Sequence, residues 1–469
     1  MLLCRPQIHI YMPIPLTDCF LATASFALGS WSRVNPFAPD TNQLPLSVVT
    51  EFPGAEETPH DDTIWGFISK DPRFSKLTKA IQFADDVHHF DDKNANVTFF
   101  ATPDWALTHH GHHGHCSDLS TFDHMKEDDV AAFAISHRCH WVDVMTAAQD
   151  LHGPGLLDDK KERRKKILKL LIHAILAYEC MPEALSVYSL GINATYSSKL
   201  AIPGIRGGER LRIRVEQNIF PPSTSINFYS KIVESDIQTS NGIVHIVNHP
   251  ILPPVSAFQT LFLFPQYFSI ATSAIQRVDL TDELDLHLHC KDKNVDDCKF
   301  SGASSLTFFA PINIAFERLP YKLRLFLFSP VGGRVLKKIL QYHIVPDAIV
   351  HSDYQYNKSA HIAAKSVEAL GHGNTILKRD FHLPTLLNKT VHTRIKKIEY
   401  NLPMPGPHKP SIVKTDVIVN GRHALVHDVV TSNAAVHVVD HLLDPRHSED
   451  ANADASWEDW EDWLIDWAN

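Results

Sequence analysis

The sequence predicts an α+β protein built from two tandem copies of one domain. Two blocks occur twice, in the same order, along the 469 residues. NVTFFATPDWAL (96–107) returns as SLTFFAPINIAF (305–316), and DIQTSNGIVHIVNHP (236–250) returns as DVVTSNAAVHVVDHL (428–442). An ordered internal repetition of this kind indicates a duplicated structural unit. Helical and strand-like patterns occur together inside each copy, and this mixture sets the fold class.

The duplication divides the chain into four parts. We expect an N-terminal extension (1–59), a first domain (60–252), a second domain (253–446) and a tail (447–469) that is acidic and rich in tryptophan. With 44% hydrophobic and 21% charged residues, the chain can bury a core in each domain. Its net charge of -10 argues against a general nucleic-acid binder, because such binding relies on Lys and Arg that neutralise phosphates.

Each copy opens with a helix that a proline interrupts. Apolar residues recur at helical spacing over 63–81, and 256–275 carries the matching segment. Pro72 and Pro265 fall at the same place in the two copies. Since proline cannot donate a helix hydrogen bond, the shared proline predicts a shared bend between two short helices.

A second helix is predicted in each copy, followed by strands. The helical patterns cover 163–182 and 333–346. The strands are expected at the two Thr-Phe-Phe-Ala segments, at the period-two segments 211–215 and 391–395, at the Asn420-Gly421 hairpin, and at the β-branched runs 243–247 and 436–439. We expect each of these last runs to lie beside the Thr-Phe-Phe-Ala strand of its own copy.

Four segments of the second copy carry a family resemblance. They are TFFAPINIAFERLP (307–320), LKKILQYHIVPDAI (336–349), LPTLLNKT (383–390) and VIVNGRHALVHDVVTSNAAVHVVDHLLDP (417–445). Together they resemble the fasciclin domain family, closely in the second copy and less closely in the first. The overall plan, with its Trp-rich acidic end, is similar to fungal secreted fasciclin-like proteins.

The resemblance implies a fold and a function. Each domain is expected to be a wedge-like β-sandwich with helices packed along one edge. The implied role is non-catalytic adhesion or matrix contact, with an extracellular protein or glycan as partner and no cofactor. In agreement, the sequence has no GxSxG, HExxH, P-loop or dinucleotide fingerprint.

The pair Tyr342-His343 matches the Tyr-His motif that the family links with adhesion, so these two residues are the candidate binding site. The alternative is that His343 is a buried histidine that bonds a carbonyl group. In the first copy we expect Leu171-Ile172-His173 at this place. The second copy is therefore the expected carrier of binding.

Several features indicate that the protein enters the secretory route. Its expected location is outside the cell, at the cell surface or in the extracellular matrix, with a vacuole as the alternative. The glycosylation triplets begin at Asn96, Asn193, Asn357 and Asn388. Of these, Asn357 and Asn388 lie in polar surroundings, whereas Asn96 opens an apolar strand and is expected to be sterically blocked. Residues 19–31 resemble the apolar part of a signal segment that has degenerated or begins at a later start. No run reaches the roughly 20 apolar residues needed to span a bilayer.

Two groups of residues have open interpretations. Cys290 and Cys298 are close enough in sequence to form a disulfide, although spacing alone does not supply the geometry. A His-rich loop contains His109, His110, His112, His113 and His115. It is either a solvated loop or a metal site, and the second interpretation gives an alternative function as a metal- or ligand-sequestering extracellular protein.

The tail is the last candidate interaction element. Trp457, Trp460, Leu464 and Trp467 follow helical spacing, so a helix would carry one apolar stripe opposite its acidic residues. We favour docking of this stripe onto the second domain. The alternative is insertion into the groove of a partner protein.

Overall fold

The protein is described by a computed structural model. It describes residues 62–107, 158–218, 223–290, 298–358, 366–368, 375–401, 411–446 and 457–468. The expected N-terminal extension and the His-rich segment around 109–115 lie outside these residues. Among the described residues, no helix has both the length and the apolar composition that a membrane crossing requires.

The first unit contains five helices and seven strands among the described residues. The helices are α1 (Ile64–Lys70), α2 (Ser75–Phe83), α3 (Val87–Phe90), α4 (Asp158–Tyr178) and α5 (Val187–Leu190). The strands are β1 (Val97–Ala101), β2 (Cys180–Met181), β3 (Thr195–Ala201), β4 (Arg210–Asn218), β5 (Ser223–Ile226), β6 (Ser230–Thr239) and β7 (Gly242–Val247). They pair in the order β2-β1-β7-β6-β5-β4-β3.

The second unit repeats this plan. Its helices are α6 (Ala257–Phe262), α7 (Pro265–Arg277), α8 (Asn313–Glu317), α9 (Tyr321–Leu327) and α10 (Gly333–Tyr342), and the tail forms α11 (Trp460–Ala468). Its strands are β8 (Leu286–Cys290), β9 (Cys298–Gly302), β10 (Leu306–Pro311), β11 (Ile344–Pro346), β12 (Ala348–Val350), β13 (Gln355–Asn357), β14 (Ser366–Glu368), β15 (Thr375–Pro384), β16 (Thr390–Asn401), β17 (Ser411–Val419), β18 (Arg422–His423), β19 (Val426–Val430) and β20 (Ala434–Val439).

The predicted bend is confirmed in both units. In the first unit, α1 ends at Lys70 and a short 3-10 turn beginning at Pro72 leads into α2. In the second unit, α6 ends at Phe262 and Pro265 is the first residue of α7. Proline is well tolerated in the first turn of a helix, because the N–H groups of that turn have no hydrogen-bond acceptor within the helix.

The predicted pairing of the repeated strands is also confirmed. β1 runs parallel to β7, and β10 runs parallel to β20. Phe99 and Phe308, the first phenylalanines of the two Thr-Phe-Phe-Ala segments, face the helices. Phe100 and Phe309, the second ones, face the opposite side of the sheet. These strands are buried on both faces, which explains their continuous apolar sequence.

Two apolar cores therefore lie in each unit, one on each face of the central strands. In the second unit the helix-side core packs α6 to α10 against one face of β10 and β20. The other core lies between two sheets, of order β11-β10-β20-β19 and β14-β15-β16-β17-β18. It includes Phe309, Phe381 and Val417, which come from both sheets. The unit is thus layered as helices, sheet and sheet.

A buried asparagine occupies the same position in both units. The Oδ1 atom of Asn241 accepts the N–H of Ile64 at 2.8 Å, and the Oδ1 atom of Asn433 accepts that of Ala257 at 2.9 Å. The Nδ2 atom of Asn433 donates to the carbonyls of Leu284 and Ala303. Each asparagine therefore connects the first residue of a helix to loops that precede the central strand.

The two units are joined by buried polar contacts. The Asp353 carboxylate, 4% exposed, accepts the N–H of Thr195 at 2.7 Å and its hydroxyl at 2.6 Å. Arg212 lies over the ring of Tyr354, with its Cζ atom 4.3 Å from the ring centroid. In addition, Phe300 from the β8–β9 hairpin packs against a core of the first unit. These contacts hold the two units in one arrangement.

Candidate functional site

The structure places Tyr342 and His343 at the end of α10, in the interior of the second unit. Both are 0% exposed. The Tyr342 hydroxyl donates to the carbonyl of Thr390 at 2.9 Å and accepts from Asn420 at 3.1 Å. A partner cannot reach either side chain in this arrangement. This corrects the expectation that the pair itself forms a binding surface.

His343 connects the helix to the C-terminal end of the unit. Its Nδ1 atom lies 2.8 Å from the carbonyl oxygen of Ile339, and its Nε2 atom accepts the N–H of Leu443 at 2.9 Å. Because burial disfavours the charged form, the pKa of His343 falls to about 4. A neutral ring with its proton on Nδ1 satisfies both contacts. The alternative interpretation of His343, a buried histidine bonded to a carbonyl, describes this environment.

The first unit has the same arrangement at Tyr178 and Glu179. The Tyr178 hydroxyl bonds to the carbonyl of Arg212 and accepts from Asn227, as Tyr342 does with its own partners. The carbonyl of Glu179 accepts from Phe100, and that of His343 accepts from the equivalent phenylalanine of the second unit. The expectation that Leu171-Ile172-His173 fills this position is therefore wrong. The shared spacing in YECMP and YHIVP is the sequence signal that identifies it.

Glu179 is fully buried, and sequence reasoning missed it. Its Oε1 atom accepts the N–H of Ile251 at 3.1 Å and the hydroxyl of Thr102 at 3.4 Å. Burial raises the pKa of Glu179 to about 8, so the side chain is mostly protonated at neutral pH. The same structural position thus holds an acid in one unit and a histidine in the other.

One family of known proteins matches the second unit, which carries the four quoted segments. The fasciclin domain family matches residues 266–445. Residues 266–445 of the second unit are thus similar to this family, and the second unit is called the fasciclin domain for that reason. Domains of this family are generally non-catalytic, and they point to adhesion or to interactions outside the cell.

A fungal protein and a solved structure are also similar to this chain. The chain is 27% identical over 219 residues to the aurofusarin biosynthesis cluster protein S of Gibberella zeae. That alignment covers 45% of this chain, and the chain spans about half the length of the relative, 47% of it. A FAS1 domain pair from the insect cell adhesion molecule fasciclin I matches at 13% identity and a TM-score of 0.28, over 80% of this chain and 98% of that one.

The four glycosylation triplets differ in accessibility. Asn388 is exposed, with a positive φ of 58°, in the turn between β15 and β16 of the fasciclin domain. Asn96 is exposed just before β1, which corrects the expectation that this residue is blocked. Asn357 and Asn193 are half-buried, and the Oδ1 atom of Asn193 accepts from Lys397 at 2.8 Å.

The two candidate cysteines lie on paired strands of one hairpin. Cys290 on β8 is the register partner of Cys298 on β9. Directly opposed positions of an antiparallel pair bring two Cα atoms within the range that a disulfide requires. The backbone therefore permits the bridge.

The tail packs on the fasciclin domain. Trp457 is 6% exposed and belongs to the helix-side core, and Trp460, Leu464 and Trp467 pack against that core. Trp463, which the predicted stripe omitted, packs there too. Two cations add to the apolar contacts: Lys338 of α10 donates to the carbonyl of Trp467 at 2.8 Å, and the Arg446 guanidinium lies over Trp463, with a Cζ-to-centroid distance of 4.4 Å.

We predict that the Glu179→Gln substitution removes a pH dependence of stability. The folded pKa of about 8 exceeds the ordinary value of 4.5, so folding stability is fully present below pH 4.5 and is lost as the pH rises to about 8. The loss amounts to about 1.4 kcal/mol for each pH unit of that window. The variant lacks this loss, so its stability relative to wild type should rise from pH 5 to pH 9. Urea unfolding at pH 5 and at pH 9 measures this difference in the free energy of unfolding. The control is Glu162→Gln, because Glu162 is exposed on α4. A difference that is equal at the two pH values would contradict the prediction.

We predict that the tail stabilises the fasciclin domain. Deletion of 456–469, or the Trp457→Ala substitution alone, should lower the free energy of unfolding by about 3 kcal/mol or more, because a large buried side chain is removed from the core. Chemical denaturation measures the change. The Trp105→Ala substitution is the control, since Trp105 is 55% exposed. Unchanged stability together with lost partner binding would instead identify the tail as a partner-binding helix.

Proposed function

We propose that this protein is secreted or displayed at the cell surface and acts, without catalysis, in adhesion or matrix contact. The observation that carries the proposal is the fasciclin domain at residues 266–445. The partner is an extracellular protein or glycan bound by exposed faces of the folded units. The proposal includes the wedge-like sandwich shape expected of each domain.

An exposed apolar surface on the fasciclin domain is the candidate contact face. Tyr321 is 65% exposed and Leu325 is 55% exposed. They lie one turn apart on α9, so they share one face of that helix. Val331, 72% exposed, follows the same helix. Exposed apolar groups that lie together on a surface mark interaction sites, and tyrosine is enriched at interfaces.

The buried and the exposed side chains of α9 have separate roles. Leu323 and Leu327 are buried in the helix-side core, and they fix the helix on the domain. Tyr321 and Leu325 are therefore held in place by a rigid support, while their own side chains are left to solvent. A preordered face of this kind loses little conformational entropy when it binds.

The secretory route is proposed from the accessible triplets and the opposed cysteines. A glycan on Asn388 would project from a turn into solvent. At Asn193 the amide oxygen is bonded to Lys397 between the two units, which disfavours modification there. A disulfide between Cys290 and Cys298 requires an oxidising compartment.

Mass spectrometry of peptides from the native protein tests this route. We expect a glycan on Asn388, none on Asn193, and a disulfide-linked pair of peptides containing Cys290 and Cys298. Enzymatic removal of the glycan and reduction of the sample are the controls for the two modifications. An unmodified Asn388 together with reduced cysteines in the native protein would refute the proposed route.

Cell attachment to surfaces coated with the full-length chain tests the contact face. The double substitution Tyr321→Ser and Leu325→Ser should lower attachment several-fold, because it removes apolar area without reaching the core. The matched control is Tyr188→Ser with Ile192→Ser, an exposed Tyr and aliphatic pair at the same spacing in the first unit. Equal attachment by both variants and by wild type would rule out this face.

The relative in Gibberella zeae favours a second candidate function. Its name places it in a biosynthetic cluster, and 219 residues of this chain align with it. In that case the partner is a protein of a biosynthetic assembly rather than a cell or the matrix. Absence of cell attachment by the wild-type chain, with normal folding, would favour this candidate.

A further inference from the structure

The first unit brings together one buried carboxylate and two imidazoles. Asp86 lies between α2 and α3, His89 is on α3, and His173 is on α4. A donor atom of each lies within 4.8 Å of the other two. The His173 Nδ1 atom is 2.8 Å from the nearer carboxylate oxygen of Asp86, and the His89 Nε2 atom is 4.0 Å from the same oxygen.

The second unit shows what the fold itself requires at the carboxylate position. The segments IQFADD (81–86) and IQRVDL (275–280) end equivalent helices, and both contain an Asp with positive φ, Asp85 at 62° and Asp279 at 53°. The next residue is Asp86 in the first unit and Leu280 in the second. Leu280 is 1% exposed, and Asp86 is 4% exposed. The first unit therefore buries a carboxylate where the fasciclin domain buries a leucine.

The two histidines are also particular to the first unit. Counting back from the equivalent Tyr178 and Tyr342, His173 corresponds to Lys337. Counting forward from the shared Asp, His89 corresponds to Glu283. Burying a carboxylate costs free energy that a buried leucine does not cost. Since Leu280 satisfies the fold at the equivalent position, we infer that Asp86 has a function other than folding. All three residues of the cluster are absent from the other copy.

We propose that Asp86, His89 and His173 bind a divalent transition-metal ion, with Zn²⁺ as the representative. Two imidazoles and one carboxylate form a ligand set known for such ions. Ligands bonded at about 2.0 Å in a tetrahedral arrangement lie roughly 3.3 Å apart, so the distances of 2.8 and 4.0 Å require side-chain shifts of less than about 1 Å.

Exposure of the imidazoles leaves room for the ion to enter and for water to complete its coordination. The side chain of Asp86 is 6% exposed, whereas those of His89 and His173 are 55% and 47% exposed. The carboxylate thus forms the floor of the site, and the two rings form its rim. Three protein ligands and an open side facing solvent are typical of sites that keep one coordination position for water, in contrast to closed structural sites.

The ligand types, rather than the charges around the site, select the kind of ion. Asp85 is paired with Lys169 on α4, and Lys199 on β3 faces His89 with repulsive charge. His88 lies against His89, at a ring centroid distance of 3.9 Å. This surrounding positive charge opposes all divalent cations alike, so selectivity comes from the ligands: hard cations such as Mg²⁺ and Ca²⁺ depend on several oxygen ligands, and the site offers one carboxylate. An ion that bonds strongly to imidazole remains favoured.

Calorimetric titration of the full-length chain with Zn²⁺ tests the proposal. The histidines at 109, 110, 112, 113 and 115 are first changed to Ser, so that this segment contributes no heat. We expect one binding site per chain to remain. His89→Ala or His173→Ala should weaken it at least about 100-fold, since even the loss of an outer-shell partner costs 10–100-fold. Both changes are at half-exposed side chains and leave the core intact.

His88→Ala is the matched control, because His88 neighbours the site but is not one of its ligands, and it should change the affinity less than about threefold. Absence of zinc binding in the Ser background overturns the proposal. So does affinity that is unchanged by His89→Ala and His173→Ala. Equal weakening by His88→Ala would overturn the assignment of the ligands.

The Asp86→Leu substitution supplies a second readout. It installs the residue that the second unit uses, so the metal-free variant should melt at or above the temperature of the parent. Zn²⁺ should raise the melting temperature of the parent and leave that of the variant unchanged. Zinc-dependent stabilisation of the variant would overturn the proposal, as would a metal-free variant that is less stable than the parent, since Asp86 would then serve the fold.

Discussion

Each unit depends on the hydrogen bonds of one buried asparagine side chain, Asn241 in the first and Asn433 in the second. This single amide holds the first residue of the opening helix and the loops before the central strand, and in the first unit Asn241 is 177 residues away from Ile64 in sequence. Loss of a partner for a buried polar group costs about 1–3 kcal/mol, and each amide has several partners. This explains why the asparagine of the Thr-Ser-Asn segment is present in both copies.

The central strands and the helix bend could be predicted because their causes are local. Continuous apolar residues specify a strand buried on both faces, and a proline specifies a helix break. The position of Tyr178-Glu179 could not be found from helical spacing, since apolar spacing alone fits several registers of the long helix α4. The register is set by the Tyr178 hydroxyl, whose partner Arg212 is 34 residues away on β4.

The candidate sites were less predictable than the fold because they assemble from distant segments. Asp86 and His173 are 87 residues apart, and Thr195 and Asp353 are 158 residues apart. Neither pair has a local pattern. The Tyr342-His343 motif was visible in the sequence, but a motif does not show whether its residues are buried in a core or exposed on a surface. Only packing distinguishes them.

The buried contact between Asp353 and Thr195 has a consequence for how the two units work together. Two domains on a flexible linker sample many separations, and the benefit of binding twice depends on the length of that linker. Here a carboxylate bonded to the backbone of the other unit fixes the separation instead. The outer faces of the two units are thus presented at one spacing and one angle, so any molecule that contacts both units must match that spacing.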